Sequence, residues 1–182
     1  QALWVALIAL VFSLLLTLVL LASRYELEKL QQQTERDASD AVSDLRAGLS
    51  RNLHQLEAII PLVSQPMIWT AQAEGLLRER REWMRLEWRD ANMKLVAAAN
   101  TPLRPTMSMW WGTGTASPEI QLACSQAKRW GNAAYSPSIY VVTDEGSGVE
   151  VVQLCLPWSA DGSLSGHLIA TYSLPDMLAQ LV

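Results

Sequence analysis

Residues able to hold a metal or carry covalent catalysis are scarce in this sequence of 182 residues. It has two histidines and two cysteines, and no pair of them has metal-ligand spacing. His54 and His167 stand apart, and no serine lies in a nucleophile turn of the GxSxG type. The glycine-containing run at 112–117 lacks the lysine of a phosphate-binding loop. The sequence therefore predicts no metal, no cofactor and no catalytic residue within this chain.

A dense basic block is also missing. Lysine and arginine together number 14 against 18 acidic residues, which gives a net charge of −4. Nucleic-acid binding requires clustered cations to neutralise phosphates, so this class of function is excluded.

Charge is absent from residues 2–22, which are almost entirely apolar. At about 1.5 Å per residue this run spans roughly 31 Å, the thickness of a bilayer core. A cleaved signal peptide has a shorter apolar region, and a buried core helix would need more surrounding chain than is present. Residues 1–22 are therefore predicted to be a transmembrane helix.

Proline is absent from Ser23 to Ile60, and apolar or small residues recur there every three or four positions. This pattern predicts a long juxtamembrane stalk helix within residues 23–65. The stripe can be covered by the stalk's own domain or by a parallel helix of a homodimer. We expect the half near the membrane to pair weakly and the half from Leu53 to Val63 to pack on the domain. The stripe consists of Ala38, Val42, Leu45, Leu49, Leu53, Leu56, Ile60 and Val63.

Pro61 and Pro66 interrupt this helix, and a second helix is predicted from Pro66 to Arg81 with Ser64 as its cap. The period then changes, because apolar and charged residues alternate over residues 84–89, which is typical of a half-buried strand. Asp90 to Asn92 supply a turn, and Lys94 to Ala99 can return as a second strand. A single helix from Pro66 to Ala99 is the alternative, because alanine, leucine, glutamate and arginine favour helices.

The rest of the chain predicts a loop, a helix and three strands. The loop, Thr101–Ser117, carries an apolar Met-Trp cluster that either folds inward or lies on another surface. A helix is expected from Pro118 to Trp130, capped by Ser117 and ended by Gly131. Strands are expected at Ser138–Thr143, Val149–Leu156 and Gly166–Tyr172, the last two joined by a loop too long for a two-residue turn. The Met-Trp cluster consists of Met107, Met109, Trp110 and Trp111.

These elements predict an α+β fold with a five-stranded antiparallel sheet and flanking helices over residues 66–175. Residues 176–182 would begin an exit helix, because Pro175 suits a first helical turn. That helical pattern also predicts that the chain is a piece of a longer protein. Cys124 and Cys155 can form a disulfide bond in an oxidising compartment or can serve as two buried apolar residues.

The order of elements resembles an extracytoplasmic Cache domain, the PAS-like sensor module of bacterial histidine kinases and chemoreceptors. The similar stretches are RLEWRDANMKLVAAA, AKRWGNAAYSPSIYVV, VEVVQLCLPW and DGSLSGHLIATYSLPDML, and the resemblance covers Leu53 to Val182. It implies a ligand-sensing region in the bacterial inner membrane, with a periplasmic sensor domain and a homodimeric stalk. It also implies a second span and a cytoplasmic transmitter, most often a histidine kinase, beyond Val182.

A guanidinium with phenol hydroxyls can hold a small organic ligand such as a carboxylate. The predicted ligand-binding residues are Arg129, Trp130, Tyr135 and Tyr140, with Arg104 and Trp111 as additional candidates. Many amino-acid-binding members of the family have Arg and Trp separated by one residue and followed by Tyr, a spacing that this chain does not keep. The alternative for each residue is packing in the core or exposure to solvent.

Two other functions fit the sequence. In one, the chain is a membrane-anchored docking module that recruits a partner protein through the Met-Trp cluster. In the other, it is the tether of an enzyme whose catalytic part lies elsewhere.

Overall fold

Helix α1 runs from Ala2 to Ile59 and passes into a short 3-10 turn, Ile60–Leu62. The computed structural model of the protein describes residues 2–62, 65–104, 114, 116–142, 146–160 and 162–181. The chain divides into two units, Gln1–Asp44 and Leu45–Val182, and the latter is called the C-terminal unit below. Over the described residues, no helix has both the length and the hydropathy needed to cross a membrane. The span predicted at residues 1–22 is therefore not confirmed.

The distal part of α1 packs on the C-terminal unit, as its apolar stripe predicts. Leu56 and Ile59 are buried in the main core, and Leu45, Leu49 and Leu53 are half-buried against it. Packing therefore begins at Leu45, about two turns before Leu53 and earlier along the helix than expected. Val42, the preceding stripe residue, is exposed.

The segment after α1 confirms the predicted helix and hairpin. Helix α2 runs from Pro66 to Glu79, and strands β1 (Trp83–Asp90) and β2 (Leu95–Asn100) form an antiparallel pair. The side-chain carboxylate of Asp90 accepts hydrogen bonds from the backbone N–H groups of Asn92 and Lys94, at 2.8 and 2.9 Å. This closes the turn, so the alternative of one helix from Pro66 to Ala99 is wrong. Ser64 lies outside the described residues.

The sheet over the described residues has six strands, one more than predicted. The additional strand is β3 (Ala134–Tyr135), which pairs with β5 in front of β4 (Ile139–Val142). Strands β5 (Gly148–Ala160) and β6 (Ser163–Ser173) form the centre, in the order β2-β1-β6-β5-β3 with β4 also on β5. All pairs are antiparallel.

The closing hairpin differs from the expectation. Ala160 pairs with Ser163, so only two residues separate β5 from β6. Gly162 has φ of 76°, which suits a tight hairpin turn. The prediction of a long loop was wrong because Ser159, Ser163 and Ser165 belong to the ends of β5 and β6.

Two further helices follow the prediction. Helix α3 spans Pro118–Trp130, with the Ser117 hydroxyl accepting a bond from the Ile120 N–H and Gly131 ending it at φ of 65°. Helix α4, Leu174–Leu181, continues directly from β6. The α+β class with an antiparallel sheet and flanking helices is thus observed.

Each face of the sheet carries its own apolar cluster. On one face, α1 and α2 pack on Leu86, Leu154, Leu168 and Tyr172. On the other, α3 packs on Cys155 and Ile169 through small residues such as Ala123 and Ala127. A disulfide bond joins Cys124 of α3 to Cys155 of β5, with a Cα–Cα distance of 5.2 Å, which decides between the two alternatives left open by the sequence.

Candidate functional site

Three charged side chains of β1 form a buried row on the same face of the sheet as α3. Arg85, Glu87 and Arg89 are only 5%, 6% and 4% exposed. They alternate with Leu86, which points into the opposite core, and they lie opposite Thr171, Ile169 and His167 of β6. The prediction of a half-buried strand was therefore wrong, because both faces of β1 are covered.

Glu87 is the centre of this row. Its carboxylate accepts a 2.6 Å bond from Nε of Arg85 and 2.7 Å bonds from Nε and Nη2 of Arg89. The Nη1 atom of Arg85 donates to Oδ1 of Asn100 at 2.7 Å. The Nη1 atom of Arg89 donates to the carbonyl oxygens of Met93 and Gly114, at 2.8 and 2.9 Å. Both guanidinium groups are thus held in fixed orientations.

The described ion pairs of the row join two guanidinium groups to one carboxylate, that of Glu87. The stretch from Thr101 to Ser117, which includes Gly114, contains no Asp or Glu and adds Arg104. Guanidinium groups match carboxylates geometrically and bind them through pairs of hydrogen bonds.

Uncharged polar groups extend the row toward β5. The Gln153 side-chain amide donates to the Thr171 hydroxyl at 3.2 Å, and both residues are buried. The Gln153 N–H donates to the Ser136 hydroxyl at 3.0 Å. These residues, together with Arg85, Glu87 and Arg89, are called the polar face below. It offers cationic and neutral hydrogen-bonding groups, the kinds needed to bind a small polar anion.

His167, within β6, is buried on the same side of the sheet. Burial lowers the pKa of this imidazole from its ordinary value of 6.5. The charge of Lys128 also lowers the pKa. The hydrogen bond with the Asp90 carbonyl and the charge of Asp90 raise it, but the effect of burial is larger.

We expect this histidine to make the protein less stable in mild acid. The unfolded chain takes up the proton at a higher pH than the folded chain, so the contribution of neutral His167 is complete above about pH 6.5 and is lost below it. The free energy of unfolding, measured by urea denaturation from about pH 7 to about pH 5, should fall less steeply in His167→Gln than in the wild type. His54→Gln, at an exposed histidine, is the control and should keep the wild-type slope. Equal slopes in all three proteins would contradict the expectation.

The residues predicted to bind a ligand are more exposed than those of the polar face. Arg129 lies in the last turn of α3 and is exposed, and Trp130 beside it is 64% exposed. Tyr140 on β4 is 70% exposed, and its ring covers Gly148. Tyr135 on β3 contacts the ring of Tyr172 at a centroid distance of 6.4 Å, and partial burial raises the pKa of Tyr135 to about 12. Their role in ligand binding stays a prediction.

The additional candidates have different surroundings. Arg104 forms an ion pair with Asp176 of α4, and both line a cleft of about 340 Å³ with Arg81 and Leu103. Trp111 and the whole Met-Trp cluster lie outside the described residues. The docking function predicted for that cluster is therefore neither supported nor opposed.

The sequence contains a signal for the polar face in the charges of β1. Three charged residues alternate along the strand with opposite signs on neighbouring positions of one face, which permits the ladder of ion pairs seen here. The alternation alone does not show whether that face is covered. The burial of all three side chains in the folded chain shows that it is covered.

No protein-family model and no curated protein sequence matches the chain. Solved structures do. The ligand-binding domain of the amino-acid chemoreceptor PctC of Pseudomonas aeruginosa PAO1, in complex with GABA, is 17% identical with a TM-score of 0.52, over 76% of this chain and 58% of that chain. The corresponding domain of PctB from the same organism, in complex with L-Gln, is 12% identical with a TM-score of 0.53, over 76% and 54%. The extracellular domain of vpHK1S-Z8, provisionally a histidine kinase, is 12% identical with a TM-score of 0.51, over 82% and 62%.

These likenesses concern the fold. The neighbours are Cache- and PAS-like extracellular ligand-binding domains of chemoreceptors and histidine kinases, so the predicted resemblance to a Cache-like sensor domain is confirmed at that level. The chain spans between half and two thirds of the length of these structures.

Proposed function

We propose that this chain is the extracytoplasmic ligand-sensing region of a membrane-bound signal-transduction receptor, of the sensor histidine kinase class, and that its polar face binds a small carboxylate. The observation that carries this proposal is the buried row in which Arg85 and Arg89 share Glu87 as their carboxylate partner. The Cache-like fold supports the sensing role.

The ligand chemistry follows from the groups present. A carboxylate matches a guanidinium geometrically, and the row contains two of these groups. Gln153 and Thr171 offer an amide and a hydroxyl that can select a second polar group on the ligand. Amino acids and related small acids combine these features, and structural neighbours were solved with GABA and with L-Gln.

Signal would leave the polar face through elements bonded to it. Strand β1 pairs with β6, and β6 continues without a break into α4. Arg104, just after β2, is also tied to Asp176 of α4. A ligand that prefers one arrangement of β1 and β6 would shift the equilibrium toward that arrangement and so move α4. The shift in this equilibrium is limited by the difference in the ligand's affinity for the two states.

Membrane attachment and dimerisation belong to the same proposal. The uncharged run at residues 2–22 would anchor the chain in the inner membrane, and the stripe before Leu45 would pair with a second copy. The domain would then face the periplasm.

A thermal-shift screen against amino acids and small mono- and dicarboxylates tests the ligand. A ligand at about 100 times its Kd should raise Tm by roughly 5–10 °C, from about 2.7 kcal/mol of binding linkage in a chain of this size. Arg85→Gln should lose this shift relative to its own Tm without ligand, and isothermal titration should show at least about tenfold weaker binding, since hydrogen bonds to charged groups contribute about 1.5–3 kcal/mol.

Arg129→Gln is the matched control, because Arg129 is an exposed arginine that the sequence analysis selected. We expect its ligand-induced shift to equal that of the wild type. The opposite result, a shift lost in Arg129→Gln and kept in Arg85→Gln, would place the ligand at the end of α3 and refute the polar face as its site. An absence of any stabilising carboxylate would remove the sensing proposal in this form.

A further inference from the structure

The disulfide bond and a buried histidine form a cluster that the sensing function does not use. The two sulfur atoms of Cys124 and Cys155 and a ring nitrogen of His167 lie within 4.8 Å of one another. All three residues are at least 97% buried, with Cys155 completely so. The three residues lie on three different elements, α3, β5 and β6. Their spacing in the sequence therefore does not indicate that they meet in the fold.

His167 is held in the form that a metal requires. Its Nδ1 lies 3.4 Å from the Asp90 carbonyl oxygen, and a carbonyl can only accept a hydrogen bond. The proton therefore sits on Nδ1, and Nε2 keeps the lone pair that binds metals. A backbone carbonyl that fixes the tautomer of a histidine ligand is the usual outer-shell partner in metal sites.

Reduction would turn the cluster into a ligand set. A dithiol reductant transfers two electrons and two protons, so that the Cys124–Cys155 bond breaks into two thiols while the dithiol itself closes into a disulfide. Two thiols that bind a divalent cation release two protons, and the resulting pair of thiolates cancels the charge of the cation. This neutral product suits the apolar cluster around α3, which consists of alanines, Ile120 and Ile169 with Met93 packed against it.

We propose that reduction of the Cys124–Cys155 disulfide opens a site for a thiophilic divalent cation of the Zn²⁺ class, with Cys124, Cys155 and His167 as its three protein ligands. Two thiolates and one imidazole are a known set for such cations, and a fourth position stays open. The cation would replace the covalent link between α3 and the sheet. This site is independent of the carboxylate proposed for the polar face.

Cadmium binding to the whole chain tests the proposal, because thiolate-to-cadmium charge transfer gives an ultraviolet band that reports sulfur ligation. The protein is reduced with a phosphine, freed of reductant without oxygen, and titrated with Cd²⁺. We expect one Cd²⁺ per reduced chain, release of two protons per cation, and no band in the oxidised protein. Reduction alone should lower Tm by roughly 5–10 °C, and Cd²⁺ should recover several degrees of it.

His167→Gln should weaken Cd²⁺ binding by at least about tenfold, since even a supporting residue of a metal site contributes that much. His54→Gln, which changes the other histidine of the chain, should bind like the wild type. The double variant Cys124→Ser with Cys155→Ser should show no band. Equal binding in His167→Gln and wild type, a reduced folded chain that binds no Cd²⁺, or a reduced chain that unfolds and is not restored by Cd²⁺ would each overturn the proposal.

Discussion

Replacing Glu87 with alanine is expected to lower the free energy of unfolding by about 3–5 kcal/mol, as when one partner of a buried ion pair is removed. The carboxylate accepts bonds from both Arg85 and Arg89 and is only 6% exposed. Without it, Arg85 and Arg89 lose the buried carboxylate that both contact. Urea denaturation of both proteins at neutral pH, with the free energy extrapolated to water, measures the difference.

Glu74→Ala provides the matched control. Glu74 also pairs with an arginine, Arg78, but at 3.4 Å on the exposed surface of α2, where such a pair contributes no more than about 1 kcal/mol. A small loss in Glu87→Ala, equal to that of Glu74→Ala, would show that the row is solvated and would weaken the argument for an anion site. Partial recovery of stability in Glu87→Ala by a carboxylate ligand would strengthen that argument.

The second large effect is expected at Trp69, which anchors α2 on the sheet. Its side chain is completely buried, and the centroids of the Trp69 and Trp88 rings are 6.3 Å apart. Trp69→Ala removes most of this packing and leaves a cavity, so we expect a loss of about 3–5 kcal/mol in the free energy of unfolding. Calorimetric or denaturant unfolding of the two proteins provides the measurement.

Met67→Ala, two residues earlier on the same helix, should change stability by less than about 0.5 kcal/mol because Met67 is 87% exposed. The variant Trp69→Phe separates the effect of the lost ring packing from that of the indole N–H group. Among the described residues the buried indole Nε1 of Trp69 has no hydrogen-bond partner, so phenylalanine removes an unsatisfied donor together with some volume. We expect Trp69→Phe to cost clearly less than Trp69→Ala. If both variants keep wild-type stability, α2 is not anchored through this side chain.

The row of ion pairs on β1 contributes less to stability than its burial suggests. A buried ion-pair row is weak support for stability, because desolvation offsets most of the Coulomb attraction. Its groups are nevertheless held by specific partners, since Arg89 is bonded to Glu87 and to the carbonyl oxygens of Met93 and Gly114.

Local chemistry was sufficient to predict most elements. Period-two alternation and the Asp90 turn predicted β1 and β2, and Ser117, Pro118 and Gly131 predicted both ends of α3. These features act within a few residues of the chain, so a sequence contains them in full. The strand β3 escaped prediction because two residues carry no periodicity, and it exists only through its pairing with β5.

The candidate site shows the opposite dependence on context. Arg129 and Trp130 were predicted to bind a ligand because an arginine beside aromatic residues can form a pocket, and the structure leaves both exposed. Arg85 and Arg89 were not predicted, because alternating charges on a strand usually face water. Whether that face meets water depends on distant contacts, such as the bond from Arg89 to the Gly114 carbonyl, 25 residues later in the chain.

By itself, the sequence determined the α+β class, both ends of α3, the hairpin of β1 and β2 and the resemblance to a sensor domain, since these follow from periodicity, capping and turn residues that act locally. Only the tertiary structure decided that Arg85, Glu87 and Arg89 are buried together and that His167 meets the Cys124–Cys155 bond. Burial and long-range proximity depend on how separate elements pack, and that is a property of the whole fold that no short stretch of residues encodes.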